Sequence, residues 1–149
     1  MSIVAQAPTR VDLAGGTLDI WPLYLFHDDA QTINFAIDLH ASCVLEPRKD
    51  ARILLASRDL GQRESFPNLP ALLRAKSYRL PLLARLVRYF VPTRGFALTT
   101  DSRAPSGAGI AGSSAMNIAV CGALNRFTRH GLNLMALQNV ARNVEAQVI

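Results

Sequence analysis

Five stretches of the chain have the residue pattern of β-strands. In Ser2–Leu13 and Thr32–Leu45 apolar residues alternate with polar ones, as they do when one face of a strand is buried. Arg52–Ser57 and Arg63–Phe66 are shorter candidates separated by an Asp-Leu-Gly turn, and Gly95–Thr100 is the fifth. The pattern predicts that most of the strands come first and the longer helices afterwards.

Helical patterns occupy most of the remaining chain. Two helices are predicted over Ala71–Lys76 and Pro81–Phe90, where proline suits the first turn. Two longer ones are predicted over Ser113–Arg129, followed by Gly131 as its C′ residue, and over Asn133–Ile149. The last helix carries a predicted apolar stripe of Leu134, Leu137, Val140, Ala141, Val144 and Val148.

Composition is that of one enzyme-like domain. The 149 residues, 50% hydrophobic and 18% charged, can bury a single sizeable core. No stretch reaches the roughly 18 consecutive apolar residues of a membrane span, and strand-like sequence begins at once without a signal leader. Cys43 and Cys121 lack the spacing of a metal or redox pair, so we interpret both as buried thiols. These features predict a cytoplasmic protein with no membrane contact.

The net charge of +5 has two competing explanations. Basic residues around the Pro81–Phe90 helix are typical either of a nucleic-acid stripe or of a solvated helix face. Few aromatic residues lie among them, which favours a solvated or partner-facing surface, and attraction of an anionic nucleotide or sugar phosphate is the simpler functional explanation. The basic residues are Arg74, Lys76, Arg79, Arg85, Arg88 and Arg94.

A glycine-rich loop, residues 105–115, reads P-S-G-A-G-I-A-G-S-S-A directly before a predicted helix. Gly107, Gly109 and Gly112 allow backbone N–H groups to surround an anion, and the helix adds the positive end of its dipole. The loop lacks the Lys–Ser/Thr pair of a Walker A motif, so phosphate charge needs a metal ion or an arginine from elsewhere. The alternative is a flexible loop capped by Ser113. We interpret the segment as a phosphate-binding loop.

A second motif lies near the N-terminus. Residues Ala7 to Ile20 read A-P-T-R-V-D-L-A-G-G-T-L-D-I: an alternating strand, a double-glycine turn and an acidic residue. Together with the loop about ninety residues later, it resembles the first two motifs of the GHMP kinases, the family of galactokinase, homoserine kinase, mevalonate kinase and phosphomevalonate kinase. Its G-G-T-L-D segment is similar to the G-G-G-T-D of heptose 7-phosphate kinases, with Leu18 as the departure.

The resemblance implies an α+β fold of the ribosomal protein S5 domain 2-like type, a mixed sheet packed against helices. The resemblance implies that residues 1–149 are the N-terminal, ATP-binding domain, and we expect the C-terminal GHMP domain of the family to be absent from this chain. The implied activity is transfer of the ATP γ-phosphoryl group to a hydroxyl of a sugar or sugar phosphate, with ATP and Mg²⁺ as cofactors. Because the family's catalytic aspartate would lie beyond Ile149, we expect little or no activity from this chain alone.

Residue roles on the acceptor side also follow from the resemblance. Arg10 matches the basic position near the transferred phosphoryl group, so it is the predicted catalytic residue; the alternative is a surface ion pair with Asp12, which shares its strand face. Asp19 matches the acidic residue that holds sugar hydroxyls, with Gly16 and Thr17 beside it. The alternative for Asp19 is an N-cap of the segment after it.

The resemblance likewise implies a metal site and the nucleotide contacts. Glu145 lies at the border of the apolar stripe and matches a helix carboxylate that coordinates Mg²⁺ together with a loop serine. Ser113 and Ser114 remain alternatives for that serine, and a solvated Glu145 is the other interpretation. The residues predicted to contact ATP are Pro105, Ser106, Gly107, Ala108, Gly109, Ile110, Ala111, Gly112, Ser113 and Ser114.

Three other functions stay open at this point. The first is a non-catalytic module that binds a nucleotide or a protein partner. The second is a kinase of the mevalonate or homoserine type, and the third is a nucleic-acid-binding domain. The phosphate loop with its serines argues against nucleic acid. An exposed apolar patch should mark the surface of the absent domain and favour self-association.

Overall fold

A computed structural model describes residues 1–16, 22–27, 29, 31–105 and 108–148. In these residues five strands form one mixed sheet: β1 (Ile3–Ala14), β2 (Ile33–Pro47), β3 (Ile53–Ser57), β4 (Gln62–Phe66) and β5 (Phe96–Ser102). Their spatial order is β1-β2-β5-β3-β4. The β3–β5 pairing is parallel and the other three are antiparallel.

The helices of the same described residues are α1 (Leu69–Arg74), α2 (Pro81–Phe90), α3 (Gly112–Thr128) and α4 (Leu134–Glu145). A short 3-10 helix, Leu23–Leu25, lies between β1 and β2. α3 packs across β1 and β2, and α2 and α4 pack against α3. The expected α+β architecture, a mixed sheet packed against helices, is confirmed. None of the described helices is long and apolar enough to cross a membrane.

Burial alternates along the strands and identifies the covered face of the sheet. On β2, Ala41, Cys43 and Leu45 are fully buried, whereas Ser42 and Val44 between them are only partly buried. The same alternation runs along β3 and β5. The core therefore lies between this face and the helices, and it follows the period-two pattern that predicts the strands.

The two shorter helices begin at side-chain contacts of different kinds. α1 starts at Leu69, two residues before the predicted start, because Asn68 Oδ1 accepts the N–H of Ala71 (2.9 Å). α2 has no such cap at its own N-terminus. Instead the Glu64 carboxylate of β4 accepts hydrogen bonds from the N–H groups of the two residues before Pro81, at 3.1 Å each. This contact ties α2 to the edge of the sheet.

The predicted stripe of the last helix is partly wrong. Leu134 is 85% exposed, because it is the first residue of α4 and lies outside the contact with the core. The helix also ends at Glu145, not at Ile149, which lies outside the described residues. The rest of the predicted stripe within α4 is buried, namely Leu137, Val140, Ala141 and Val144.

Gly131 is not the residue that ends α3, contrary to the prediction. Arg129 adopts the left-handed conformation (φ 59°) directly after the helix, and its N–H donates to the carbonyl of Asn125. The Asn125 side chain both donates to and accepts from the backbone of Leu132, at 3.0 Å each. These hydrogen bonds stabilise a turn in which Arg129 takes the conformation that usually favours glycine.

Two arginines stabilise the turn between β2 and β3. Asp50 accepts hydrogen bonds from Arg48 Nε and Nη2 (2.7 Å each) and from Arg52 Nε (2.8 Å). The bonds from Arg48 and then Arg52 hold the pKa of Asp50 well below its ordinary value of 3.8. Gly95, directly before β5, lies so close to the Asp50 carbonyl that a β-carbon there would collide. The turn therefore helps to hold β3 beside β5.

We expect Asp50→Asn to lower stability at neutral pH, because a depressed folded-state pKa means that the ionised carboxylate favours the folded state. The difference in stability between the parent protein and the variant should be largest above the ordinary carboxyl pKa. It should shrink as the pH falls from that value towards the depressed pKa of the folded protein. Thermal unfolding followed by circular dichroism from neutral to acidic pH measures this difference. Glu46→Gln, at an exposed position of β2, is the matched control. A pH-independent loss in Asp50→Asn would contradict the assignment.

Candidate functional site

A backbone hydrogen bond joins the two sequence motifs. The N–H of Arg10 in β1 donates to the carbonyl of Ile110 in the glycine-rich loop (3.2 Å). The loop leads into α3, which packs across β1 and β2. Segments about ninety residues apart in the chain therefore belong to one site.

Two glycines of the loop are required for different physical reasons. Gly109 has φ 68°, a left-handed conformation, and a β-carbon there would meet no atom within 4 Å. Conformation alone therefore favours glycine at this position. At Gly112 the constraint is space, because a β-carbon would lie 2.9 Å from the β-carbon of Ala104. This close approach sets where α3 begins.

The first turn of α3 has no side-chain cap. Its N-cap residue is Ala111, which is left-handed (φ 57°), and Ala115 N–H makes the first hydrogen bond of the helix, to the Ala111 carbonyl (2.9 Å). The N–H groups before Ala115 have no acceptor within the helix. The alternative that Ser113 caps the helix is therefore wrong. These amides are suited to an anion, as the phosphate-loop interpretation requires.

The start of the loop is described only in part. The Pro105 carbonyl accepts the N–H of Ala108 (3.2 Å). Ser106 and Gly107, both predicted to contact ATP, lie outside the described residues. Their role stays a prediction.

Ser114 and Glu145, which are both among the residues predicted to bind a metal ion, are in contact. Ser114 Oγ donates to the Glu145 carboxylate, 3.2 Å from Oε1 and 3.1 Å from Oε2. Both side chains are half-buried, whereas Ser113 is exposed. The geometry thus distinguishes the two serines: Ser114 contacts the carboxylate, and Ser113 lines the cavity beside it.

A buried side-chain amide fixes how α3 and α4 are aligned along each other. Asn117 is fully buried and donates Nδ2–H to the carbonyl of Ala141 (2.7 Å). Ser114 lies one turn before Asn117 in α3, and Glu145 lies one turn after Ala141 in α4. These two side chains therefore meet. The sequence analysis missed Asn117, although a lone amide in an apolar helical stretch is a signal for a specific polar contact.

Arg10 and Asp12 form the ion pair that was the alternative to a catalytic role of Arg10. Arg10 Nε lies 2.8 Å from Asp12 Oδ1, and about a third or less of each side chain is exposed. Gly16 lies against this pair, since a β-carbon there would come within 2.8 Å of Asp12 Oδ2. Arg10, the predicted catalytic residue, and Gly16, a predicted acceptor contact, therefore both lie beside Asp12. Thr17 and Asp19, the other predicted acceptor contacts, lie outside the described residues.

A cavity of about 210 Å³ opens beside the start of α3. Its walls are mostly apolar and come from the β3–β4 turn, α2, α3 and the end of α4. Ser113 and Glu145 line it on the side nearest the loop, and Arg79 is a further charged group in its wall. The other lining residues are Ser57, Leu60, Leu80, Pro81, Leu82, Leu83, Thr100, Met116 and Val148.

Both cysteines are buried thiols, as predicted. Burial raises the pKa of Cys43 and of Cys121 to about 12, so neither is a thiolate near neutral pH. Their role is packing between β2 and α3.

Comparisons with known proteins agree with the motifs. Residues 77–149 match the family described as the GHMP kinases N terminal domain. A D-glycero-alpha-D-manno-heptose 7-phosphate kinase of Campylobacter jejuni is 30% identical over 153 residues, covering 98% of this chain and 44% of that protein. The chain therefore spans less than half the length of this curated relative.

Solved structures share the fold. A D-glycero-D-manno-heptose 1-phosphate kinase from Bacteroides thetaiotaomicron superposes with a TM-score of 0.82 at 24% identity, covering 99% of this chain and 49% of the other. The mevalonate kinase of Methanococcus jannaschii gives 0.81 at 18% identity, with 99% and 47% covered. At these identities the likeness concerns the fold alone. Family match, relative and fold lead to one conclusion: this chain belongs to the GHMP kinases, as an N-terminal domain of that family.

Proposed function

We propose that this chain binds ATP with Mg²⁺ and forms the N-terminal part of a kinase that phosphorylates a hydroxyl of a sugar or sugar phosphate. The observation that carries the proposal is the contact of Ser114 with the Glu145 carboxylate at the uncapped start of α3. Ligands for a cation thus lie beside amides suited to an anion. A metal-bound triphosphate requires both.

The cavity beside the start of α3 is suited to bind the nucleobase of ATP. Its apolar walls suit a flat aromatic ring, and its volume of about 210 Å³ is below the ~300 Å³ and more of pockets that enclose whole drug-sized ligands. A base inside it would leave the ribose and phosphates outside, near Ser113. The phosphates would then reach the amides of the loop and of α3.

The residues present fit a magnesium ion. Mg²⁺ prefers oxygen ligands and keeps several waters or phosphate oxygens, so one carboxylate and one hydroxyl are sufficient protein ligands. Glu145 and Ser114 would hold it. Bound there, the ion would offset the negative charge that develops on the phosphates during transfer.

On the acceptor side, Arg10 would stabilise the transferred phosphoryl group. Its ion pair with Asp12 orients the guanidinium, and the backbone bond to Ile110 holds its strand beside the loop. Gly16, Thr17 and Asp19 would contact the acceptor hydroxyls. Catalysis in this scheme comes from positioning and from charge stabilisation.

A second domain would complete the enzyme. The chain spans 44% of the heptose 7-phosphate kinase that it matches, so we propose that a C-terminal GHMP domain supplies the catalytic base. Closure of that domain over the acceptor would exclude water, which otherwise hydrolyses ATP.

The heptose relatives and the G-G-T-L-D segment support a sugar acceptor. The fold does not discriminate, since a heptose 1-phosphate kinase and a mevalonate kinase superpose equally well. The acceptor is therefore argued from the loop sequence and from the 30% identical relative, and a heptose phosphate is the first acceptor to test.

Gly109→Val should weaken binding of a non-hydrolysable ATP analogue about ten-fold or more, measured by titration calorimetry. A β-branched residue at φ 68° strains the loop and moves its amides. Gly131→Val is the matched control, because Gly131 has φ 70° and equally open surroundings but lies past the far end of α3. Equal affinity in both folded variants would remove the loop from the nucleotide site.

Glu145→Gln should reduce nucleotide affinity in the presence of Mg²⁺ by a larger factor than in EDTA, since only the metal complex uses the carboxylate. Ser114→Ala should show the same metal dependence, and Ser113→Ala a weaker one. Parallel titrations with and without Mg²⁺ measure these ratios. Losses of the same size in both conditions would indicate that Glu145 has a structural role.

Sugar-dependent ADP release should be found in the two-domain protein and be weak or absent in residues 1–149. A coupled assay with hexoses, heptose phosphates, mevalonate and homoserine compares the acceptors. Turnover with mevalonate or homoserine alone would refute the sugar assignment. Nucleotide binding without turnover of any acceptor would instead favour a non-catalytic binding module.

A further inference from the structure

The loop between β1 and β2, residues 15–32, is closed at its neck by a close backbone approach. Gly15 has φ 76°, and a β-carbon there would collide with the carbonyl of Gln31. Ala14 pairs with Ile33 at the same level of the sheet. Long loops whose two ends lie close together are commonly functional.

Tyr24, in the 3-10 helix of this loop, provides an anchor for it. The Arg142 guanidinium of α4 lies over the Tyr24 ring, 4.0 Å from its centroid. Arg142 Nη2 also donates to Asn139 Oδ1 (3.2 Å), which holds the guanidinium on the helix surface. Its Nε is buried without a hydrogen-bond partner among the described residues, so the cation is partly desolvated against the ring. Desolvation strengthens a cation–π contact.

No residue of this 3-10 helix belongs to the buried core. Leu23 and Tyr24 are half-buried, whereas Leu25 at the end of the helix is 58% exposed and the following Phe26 is 74% exposed. Its internal hydrogen bonds are local, from Leu25 N–H to the Pro22 carbonyl and from Phe26 N–H to the Leu23 carbonyl. The Tyr24–Arg142 contact therefore links this partly exposed segment directly to α4.

Arg142 lies one turn before Glu145 on the same helix face. We propose that Arg142 is a positioning residue, which holds the acceptor loop at a set distance from the metal carboxylate by stacking on Tyr24. The proposal rests on the proposed function, in that residues of this loop contact the acceptor. Arg142 itself touches neither the acceptor nor the nucleotide in this assignment.

Hydrogen–deuterium exchange on the 149-residue chain tests the anchor. Tyr24→Leu and Arg142→Met should each speed exchange at the amides of Leu25 and Phe26 by roughly 3- to 30-fold, the range expected for loss of a cation–π contact. Tyr24→Phe keeps the ring and should exchange like the parent chain. Arg126→Met, at an exposed position of α3, controls for removal of an arginine from a helix.

Steady-state kinetics on the two-domain protein tests the positioning role. With the anchor lost, the competent loop conformation is less populated, so the acceptor KM should rise by a similar factor. The kcat at saturating acceptor and the KM for MgATP should change much less. Unchanged exchange, a Tyr24→Phe variant that behaves like Tyr24→Leu, or an equal rise in both KM values would overturn the proposal.

The two hypotheses fail in different ways. A parent protein that phosphorylates no acceptor would refute the proposed function and the positioning role with it. The exchange measurement would still decide whether Arg142 anchors Tyr24. Normal turnover with an unchanged acceptor KM in Arg142→Met would refute the positioning role alone.

Discussion

The register between α3 and α4 is the constraint on which the site depends. Asn117 is buried among apolar side chains, where an unpaired amide would cost about 1–3 kcal/mol. Its hydrogen bond to the Ala141 carbonyl avoids that cost, and sliding either helix by one residue would break it. Ser114 and Glu145 meet one turn away as a consequence. A polar group in the core thus determines the geometry of a contact near the surface.

Close backbone approaches fix the described part of the glycine-rich loop. Gly112 allows α3 to begin against Ala104, and the hydrogen bond from Arg10 to Ile110 connects the loop to the long β1–β2 pairing. Neither contact depends on flexible side chains. The start of α3 is therefore positioned by backbone contacts, and positions set in advance are the condition for effective charge stabilisation.

The loop between β1 and β2 is built differently. It leaves the sheet at Gly15 and returns at Gln31, and Tyr24 in its described part lies under the Arg142 guanidinium of α4. Such a loop can change its sequence without disturbing the core, whereas the phosphate loop cannot. This chain superposes on solved structures of a heptose 1-phosphate kinase and of a mevalonate kinase with TM-scores near 0.8, so the fold alone does not distinguish their substrates.

Local patterns in the sequence were sufficient to predict most of the helices and strands and to locate both motifs. Alternation identified the strands, because one face of each is buried, and the glycines of the 105–115 loop indicated left-handed or crowded backbone. Local pattern could not show that Arg129 ends α3 or that Leu134 is exposed, since both depend on what the neighbouring segments contact.

Tertiary structure alone decided which serine meets Glu145 and which cation meets Tyr24. Ser113 and Ser114 are adjacent and chemically identical, so only the rotation of α3 against α4 separates them. Arg142 and Tyr24 are far apart in the chain and become neighbours only when α4 packs beside α3. The sequence determined which chemical groups are available. Packing determined which of them are close enough to interact, because side-chain contacts act over only a few ångströms.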